Sequence, residues 1–399
     1  MLTRSHRRSW PLGVAMALVA AACAGAETTG PEVLGAEIDA GTLLSAEALP
    51  PPPGHPAGRS WRIRYAMSGV SGEVVVATGM VIVPGGQGPA GGWPRIGWGH
   101  PTRGSADTCA PSLEGPATVA ELPSLLDAGL AVVAPDYEGL GVGGAHPYLV
   151  GASEARSLFD ALRAAGELEG ADIDPDGPVV LWGFSQGGHA VGFAAELAPE
   201  LAADLDVRGV ALAAPVSDVA NFAERAAARH DQLGVLATIL VGQQAADPTL
   251  DLSSVLGPSA VSELDTIEGL CIGEVNRAFG ELDQRTATVT GALDRDLRWQ
   301  EALDDDRLGD APMTVPALVV QGTADHIVDP ADTRALVGRW CALGGQVTEV
   351  RRDGEGHAVP VSDVLVPWID AVLAGDMVPS ACQNESPPEP QEDGPVPSR

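Results

Sequence analysis

Short apolar runs alternate with longer segments of helical periodicity along most of the chain. The β-type runs are Arg95–Trp98, Leu130–Ala134, Val179–Trp182, Val210–Ala214, Ala317–Val320 and Gln346–Val350. Segments of helical spacing separate most of them: Thr118–Ala128, Ala152–Ala165, Gln186–Ala198, Ala331–Ala342 and Val361–Ala374. Strands that are buried on both faces have continuous apolar runs, and crossover helices make such strands parallel. The pattern predicts an α/β fold with a mostly parallel central sheet flanked by helices.

The two ends of the chain have a different pattern. Residues 61–65 and 74–84 alternate in the manner of strands and predict an antiparallel pair. Before them, a polar leader of residues 27–59 contains four consecutive prolines, and we expect it to be loop or linker. The tail, residues 383–399, is rich in Pro and Glu and has no hydrophobic run, so we expect it to be disordered.

A long insertion interrupts the alternation. About a hundred residues separate the run at Val210 from the run at Ala317, which is more than one crossover helix needs. We therefore expect residues 220–310 to form a cap inserted into a core of residues 60–219 and 311–382. An apolar helical stretch within this insertion comprises Leu233, Val235, Leu236, Ile239, Leu240 and Val241. It either packs the cap's own core or forms an interfacial lid, and we favour packing because exposed apolar patches are rarer.

The composition is strongly acidic. Asp and Glu number 54 against 23 Arg and no Lys, which gives a formal net charge of -31. Such a surface repels phosphate backbones and anionic membrane faces, so we expect no nucleic-acid partner. Simple solubility outside the cell explains the charge without any specific electrostatic role.

The first 26 residues have the pattern of an export signal. Three arginines at positions 4, 7 and 8 precede an apolar stretch, Leu12–Ala22, that is too short to span a bilayer. Two processing sites remain open: a lipobox ending at Cys23, which we favour, and ordinary cleavage after Ala26. Both predict an extracellular protein, secreted or lipid-anchored at the cell surface, with no transmembrane segment in the mature chain.

Four further cysteines lie in the body of the chain. An even number in an exported protein predicts two disulfides, and the residues alone allow three pairings of Cys109, Cys271, Cys341 and Cys382. None has the C-x-x-C spacing of a metal site, and no His, Asp or Glu cluster has ligand spacing. We therefore expect neither a metal nor a cofactor.

The most informative motif is the pentapeptide Gly183–Gly187, with sequence GFSQG. It joins an apolar run to an Ala-rich helical segment, which is the nucleophile-elbow arrangement of the α/β-hydrolase fold. Asp325 and then His357 follow Ser185, and Ser, Asp, His is the order of triad residues in this fold. Asp329, in the same loop as Asp325, is the alternative acid.

These residues predict acyl transfer. His357 would take the proton of Ser185 and return it to the leaving group, while Asp325 would orient the imidazole. Two backbone amides, those of Gln186 and Thr102, are expected to bind the oxyanion, because Pro101 has no N–H. The alternative for residues 99–104 is a loop that Gly and Pro shape without any catalytic part. The other histidines, including His189 on the helix after Ser185, are expected to be packing or surface residues.

Several blocks of sequence resemble the secretory lipase family, which includes the fungal lipase A type enzymes. The blocks are residues 100–112 (HPTRGSADTCAPS), 136–155 (DYEGLGVGGAHPYLVGASEA), 183–188 (GFSQGG) and 321–325 (QGTAD). The resemblance covers roughly residues 60–382. It implies that Ser185, Asp325 and His357 form the triad, and that Cys109 pairs with Cys271 and Cys341 with Cys382. The chain departs from the family at Pro101, where a glycine is expected.

Together these observations predict an exported serine carboxylic-ester hydrolase. We expect it to cleave neutral acyl esters such as acylglycerols through an acyl-enzyme on Ser185, as a triacylglycerol lipase would, with small-molecule or lipid ester substrates and a possible lipid interface. One alternative is a serine peptidase of the same fold, with Glu138 or the acidic residues of the cap binding the substrate's amino group. The other is a catalytically inactive surface binding protein.

Overall fold

The computed structural model describes residues 30–267, 269–289 and 291–383. The expected export signal with Cys23 and the tail from residue 384 onward lie outside this part of the chain. Within it a single sheet contains nine strands. They are β1 (Leu43–Leu49), β2 (Arg59–Ser68), β3 (Val74–Val83), β4 (Arg95–Gly99), β5 (Ala131–Pro135), β6 (Pro178–Phe184), β7 (Asp206–Ala213), β8 (Ala317–Gly322) and β9 (Val347–Arg352).

The sheet is mostly parallel, as the sequence predicts. Its order is β1-β2-β3-β5-β4-β6-β7-β8-β9, and the six strands from β5 to β9 in this order pair in parallel. Strands β1, β2 and β3 are antiparallel, and β3 is antiparallel to β5. Because parallel strands end at the same edge, the loops after β4, β6 and β8 come together there.

The leader contains a strand, so the expectation of loop or linker for residues 27–59 is wrong for Leu43–Leu49. This strand pairs with β2 in antiparallel fashion, and most of its side chains are exposed. It forms because the open edge of β2 supplies backbone hydrogen-bond partners, and a one-sided edge strand needs no hydrophobic alternation.

The described residues contain thirteen α-helices. They are α1 (Pro111–Glu114), α2 (Leu122–Asp127), α3 (Gly151–Gly166), α4 (Gln186–Leu201), α5 (Val219–Ala227), α6 (Leu233–Ala246), α7 (Pro258–Val261), α8 (Leu264–Ile267), α9 (Ile272–Gly280), α10 (Gln284–Ala287), α11 (Leu297–Asp304), α12 (Pro330–Ala342) and α13 (Leu365–Ala374). Helix α2 is shorter than the expected 118–128 because Glu121 has a left-handed backbone (φ 59°), which starts a new helix at Leu122.

Alternate residues of each central strand face opposite sides of the sheet. In β6, Val179 and Leu181 join the apolar cluster that contains α3, α4 and α12 residues, whereas Val180 and Trp182 join the cluster of α2 and α13. The strand is buried on both faces, which explains why its sequence is a continuous apolar run.

Helices α5–α11 lie between β7 and β8, and we call them the cap. The cap has its own apolar cluster, in which Leu233, Leu236, Ile239 and Leu240 are buried while Val235 and Val241 are partly buried. This burial favours core packing over an interfacial lid for the stretch. In the part of the chain that the structure describes, no helix is long and apolar enough to span a membrane.

Two disulfides join distant segments, and the expectation of disulfide bonds is confirmed. One joins Cys109 to Cys271 and thus the loop region after β4 to the cap; the other joins Cys341 in α12 to Cys382. The backbone N–H of Ile272 also donates to the Arg103 carbonyl (2.8 Å). The cap is therefore fixed, at this point, to the loop that contains Thr102.

Candidate active site

Ser185 occupies a sharp turn between β6 and α4. Its backbone dihedrals (φ 58°, ψ -117°) are unusual for a residue with a side chain, and its N–H donates to the Ala213 carbonyl of the adjacent strand (2.9 Å). A Cβ at Gly183 would clash with the Gly187 backbone, and one at Gly187 would clash with the Gly99 backbone. The glycines therefore allow the strand, the helix and the loop after β4 to approach closely.

The structure brings Ser185, His357 and Asp325 into one hydrogen-bonded chain. His357 Nδ1 lies 2.8 Å from Asp325 Oδ2, and His357 Nε2 lies 2.9 Å from Ser185 Oγ. A carboxylate only accepts, so Nδ1 carries the proton and Nε2 is the acceptor that faces the serine hydroxyl. This is the tautomer that a general base requires.

Every carboxylate oxygen of Asp325 has protein donors. Besides His357, the Gln321 amide donates to Oδ2 (3.0 Å), and the N–H groups of Ile327 and Val328 donate to Oδ1 (2.8 and 3.0 Å). Burial acts to raise the pKa of Asp325, but the hydrogen bond and charge of His357, together with the other donors, outweigh it and lower the pKa. Asp325 is therefore ionised and can stabilise a cationic imidazole.

The two alternatives to these residues have other partners. Asp329 is the N-cap of α12 and accepts from the Ala331 N–H (2.8 Å). His189 is fully buried, and its Nδ1 lies 2.8 Å from the Val216 carbonyl. Burial lowers the pKa of His189 to about 4, despite the opposing effect of carbonyl groups, so the ring is neutral.

The expected oxyanion donors lie on two segments in contact. Gln186 is the first residue of α4, directly after Ser185, and Thr102 lies in the loop that follows Gly99, the last residue of β4, which approaches the Gly187 backbone closely. The Thr102 hydroxyl lies 2.8 Å from the Tyr148 hydroxyl. The Thr102 hydroxyl therefore has a protein partner, which leaves the backbone N–H of Thr102 as its expected oxyanion donor.

Several buried polar residues in the block 136–155 are not among the site residues predicted from the sequence. Asp136 accepts from the Thr78 hydroxyl (2.7 Å) and the Ser112 N–H (2.8 Å), and Glu154 accepts from the Gln186 amide (2.9 Å). The sequence feature that indicated them was the long block of residues 136–155 that resembles the secretory lipase family. Glu138, considered above as an amine-binding acid, is buried and accepts from Val70 and Ser153.

The cap contains a cavity of about 510 Å³ that the triad residues do not line. Its walls are mainly apolar, with Leu236, Leu240, Val255 and Leu293, and two carboxyl groups, Glu224 and Asp294, face it. Burial and the neighbouring Asp294 raise the pKa of Glu224. Among the described residues, no group of His, Cys, Asp and Glu has an arrangement that could hold a metal ion.

Sequence comparisons relate the chain to lipases. The sequence model of the family described as secretory lipase matches residues 113–379. A probable inactive lipase of Mycobacterium tuberculosis is 29% identical over 345 residues, which cover 79% of this chain and 73% of that protein. Lipase 5 of Candida albicans is 27% identical over 279 residues, covering 65% of this chain and 58% of that protein, so the chain spans less than two thirds of this relative.

Solved structures share the fold. Candida antarctica lipase A superposes with a TM-score of 0.72 at 18% identity, covering 86% of this chain and 84% of that one. A rice cell wall degrading esterase from Xanthomonas oryzae superposes with a TM-score of 0.67 at 21% identity, covering 84% and 96%. The fold is thus that of α/β-hydrolases, as the elbow motif predicts.

Proposed function

The chain belongs to the secretory lipase family, and on that premise we propose that it is an exported serine carboxylic-ester hydrolase with Ser185, His357 and Asp325 as its triad. The observation that carries the proposal is the continuous hydrogen-bonded chain from Ser185 Oγ through the His357 ring to Asp325. A hydroxyl is a weak nucleophile at neutral pH, and this chain supplies the base that activates it.

The acylation step follows from this geometry. Ser185 Oγ attacks the ester carbonyl carbon while its proton moves 2.9 Å to His357 Nε2. The imidazole becomes a cation that ionised Asp325 stabilises. The negative charge that develops on the carbonyl oxygen is met by the backbone amides of Gln186 and Thr102.

Collapse of the tetrahedral intermediate breaks the bond to the leaving alcohol, which takes its proton from His357 Nε2. The acyl group remains on Ser185 Oγ as an ester. Water, deprotonated by the same nitrogen, then attacks this ester, and the acid product leaves as Ser185 recovers its proton. No step uses a metal or a cofactor.

The substrates that we propose are neutral acyl esters such as acylglycerols. The net charge of -31 disfavours anionic substrates. Triacylglycerol hydrolysis, action at a lipid interface, export and a lipid anchor on Cys23 are parts of this proposal. The peptidase alternative loses its first candidate acid because Glu138 is buried and hydrogen-bonded.

The remaining alternative is a catalytically inactive binding protein, because the relative from Mycobacterium tuberculosis is named as a probable inactive lipase. A binding protein that has lost catalysis has no need to keep a serine, a histidine and an aspartate at hydrogen-bond distances. The three residues are present here, and the tautomer of His357 suits a general base. These features support an active enzyme.

The test compares the mature protein with Ser185→Ala on p-nitrophenyl butyrate and palmitate, each with and without a serine-reactive phosphonate. Wild type should hydrolyse at least one ester and be labelled at Ser185, whereas Ser185→Ala should do neither. Ser157→Ala is the matched control, because Ser157 is a buried serine outside the proposed triad whose hydroxyl donates to Met67 Sδ (3.5 Å). Wild type that is folded, unlabelled and inactive on both esters would refute the proposal.

A further inference from the structure

A cluster of buried polar side chains lies beneath Ser185 and takes no direct part in the proposed acyl transfer. Its members are Glu154 of α3, Gln186 and His189 of α4, and His146 of the loop before α3. Each is at most 3% exposed. Buried polar groups are costly unless they are hydrogen-bonded, so the partners of each atom indicate what the cluster does.

The Gln186 side chain has a single consistent orientation. His146 Nδ1 lies 2.8 Å from the Glu138 carbonyl, which only accepts, so the proton is on Nδ1 and Nε2 is an acceptor. Gln186 Nε2 donates to this His146 Nε2 (3.2 Å) and to Glu154 Oε1 (2.9 Å). Both amide hydrogens are used, and the side chain is held in the cluster.

The same Glu154 oxygen also accepts from the backbone N–H of Leu149 (3.2 Å). Leu149 is a non-glycine residue in the left-handed region (φ 57°), and its carbonyl accepts from Gln243 (3.1 Å). Residues in such conformations persist only where their surroundings hold them. The neighbouring Tyr148 then bonds Thr102 through its hydroxyl (2.8 Å).

One carboxyl group is therefore connected to both expected oxyanion donors. We propose that Glu154 is a positioning residue for the oxyanion hole: it anchors Gln186 directly and Thr102 through Leu149 and Tyr148. The inference rests on the proposed function, because it needs Ser185 to be the nucleophile and these two amides to bind the oxyanion.

The cluster contains no cation to balance a charged Glu154. Burial raises the pKa of Glu154 well above its usual range. Nearby Asp306 raises it further, whereas the hydrogen bonds from Gln186 and Leu149 lower it by less. The second oxygen, Oε2, lies 3.9 Å from His189 Nε2, and neither atom has a hydrogen-bond partner. A protonated Glu154 presents a donor to that nitrogen, so the neutral acid suits the site and glutamine is its closest mimic.

The experiment measures kcat and KM for p-nitrophenyl butyrate in Glu154→Gln, Glu154→Ala and Gln186→Leu. We expect kcat to fall roughly 10- to 100-fold in Glu154→Ala and in Gln186→Leu with little change in KM, because misplaced oxyanion donors weaken binding of the transition state alone. Glu154→Gln should keep kcat within about threefold of wild type, because the amide keeps the acceptor and supplies the donor. The double variant Glu154→Ala/Gln186→Leu should lose little more than either single variant, since both act through one contact.

The control is Asp160→Asn, which alters another buried carboxylate of α3. Its partners are the Ser68 N–H and Arg163, away from the cluster, so kcat should remain unchanged even if stability falls. A folded Glu154→Ala with wild-type kcat, Glu154→Gln as impaired as Glu154→Ala, or strictly multiplicative losses in the double variant would overturn the inference. If the phosphonate does not label Ser185 in wild type, the proposed function itself is refuted. Failure of the inference and failure of the proposed function therefore give different results.

Discussion

The core and the cap differ in how they are held together. In the core, two apolar clusters cover both faces of one sheet, and all three residues of the proposed triad follow core strands. The cap has a third apolar cluster, which also includes Tyr148, Leu149, Val216 and Val328 of the core, and further bonds join the cap to the core. These include the Cys109–Cys271 disulfide, the Arg225–Asp332 ion pair and the bond from Arg229 to the His326 carbonyl (2.8 Å).

This difference separates two kinds of effect. Substitutions at the carboxyl ends of core strands alter the proposed triad. Substitutions in the cap or at its attachments alter stability and access to the site, because no triad residue comes from the cap.

The largest effect is expected for Asp325→Asn. The amide can no longer stabilise a cationic imidazole and favours the wrong tautomer of His357, so kcat should fall by about 10⁴-fold. Steady-state hydrolysis of p-nitrophenyl butyrate measures this loss. Asp329→Asn, in the same loop, should retain activity, because Asp329 caps α12 whereas the carboxylate that bonds His357 belongs to Asp325. The reverse result would make Asp329 the triad acid.

Removal of either disulfide should destabilise the protein by about 2–5 kcal/mol. The first bond closes a separation of 162 residues and the second one of 41. Chain entropy then predicts that Cys109→Ala/Cys271→Ala costs about 1 kcal/mol more than Cys341→Ala/Cys382→Ala. Chemical denaturation of the two double variants gives both values. Equal losses of stability, or a larger loss in Cys341→Ala/Cys382→Ala, would show that chain entropy does not determine how much each disulfide stabilises the protein.

Asp306 joins the segment after the cap to two other elements. It accepts from the Gly151 N–H of α3 (2.7 Å) and from Gln243 of cap helix α6 (2.8 Å). Burial, opposed by these bonds and aided by Asp305, raises the pKa of Asp306 from 3.8 to about 7. The folded state thus binds this proton more tightly than the unfolded state, so the contribution to stability is complete below about pH 4 and is lost as the pH rises towards 7.

We therefore expect Asp306 to reduce the free energy of unfolding by up to about 3 kcal/mol between about pH 5 and pH 8. Asp306→Asn cannot ionise and should lack this part of the pH dependence. Denaturant titrations of wild type and Asp306→Asn at both pH values measure the difference. Parallel pH dependence in the two proteins would mean that Asp306 keeps an ordinary pKa.

The smallest effect is expected for Asp329→Ala. Loss of the N-cap bond to Ala331 should lower stability by about 1 kcal/mol. The change lies in the core, yet it should leave kcat unaltered. A thermal melt together with one activity assay checks both statements. A loss of activity without a loss of stability would contradict the assignment of Asp329 as the N-cap residue of α12.

Much of this arrangement can be predicted from local sequence. The apolar runs around residues 179–182 and 317–320 are strands because burial on both faces demands continuous hydrophobicity. The strand Leu43–Leu49 is missed because its pairing depends on the open edge of β2 and its own residues have no buried face. Glu154 is missed for a related reason, since a glutamate within a helical pattern has the sequence appearance of a solvent-exposed residue.

By itself, the sequence determined the α/β class, the elbow at Ser185 and the order of the residues that follow it, because glycine spacing and strand hydrophobicity are local requirements. Only the tertiary structure decided which acid meets His357, how the four cysteines pair, and that a buried carboxyl group lies beneath Gln186. These contacts join residues from 32 to 162 positions apart. They depend on which chain segments meet at the sheet edge, and no local pattern contains that information.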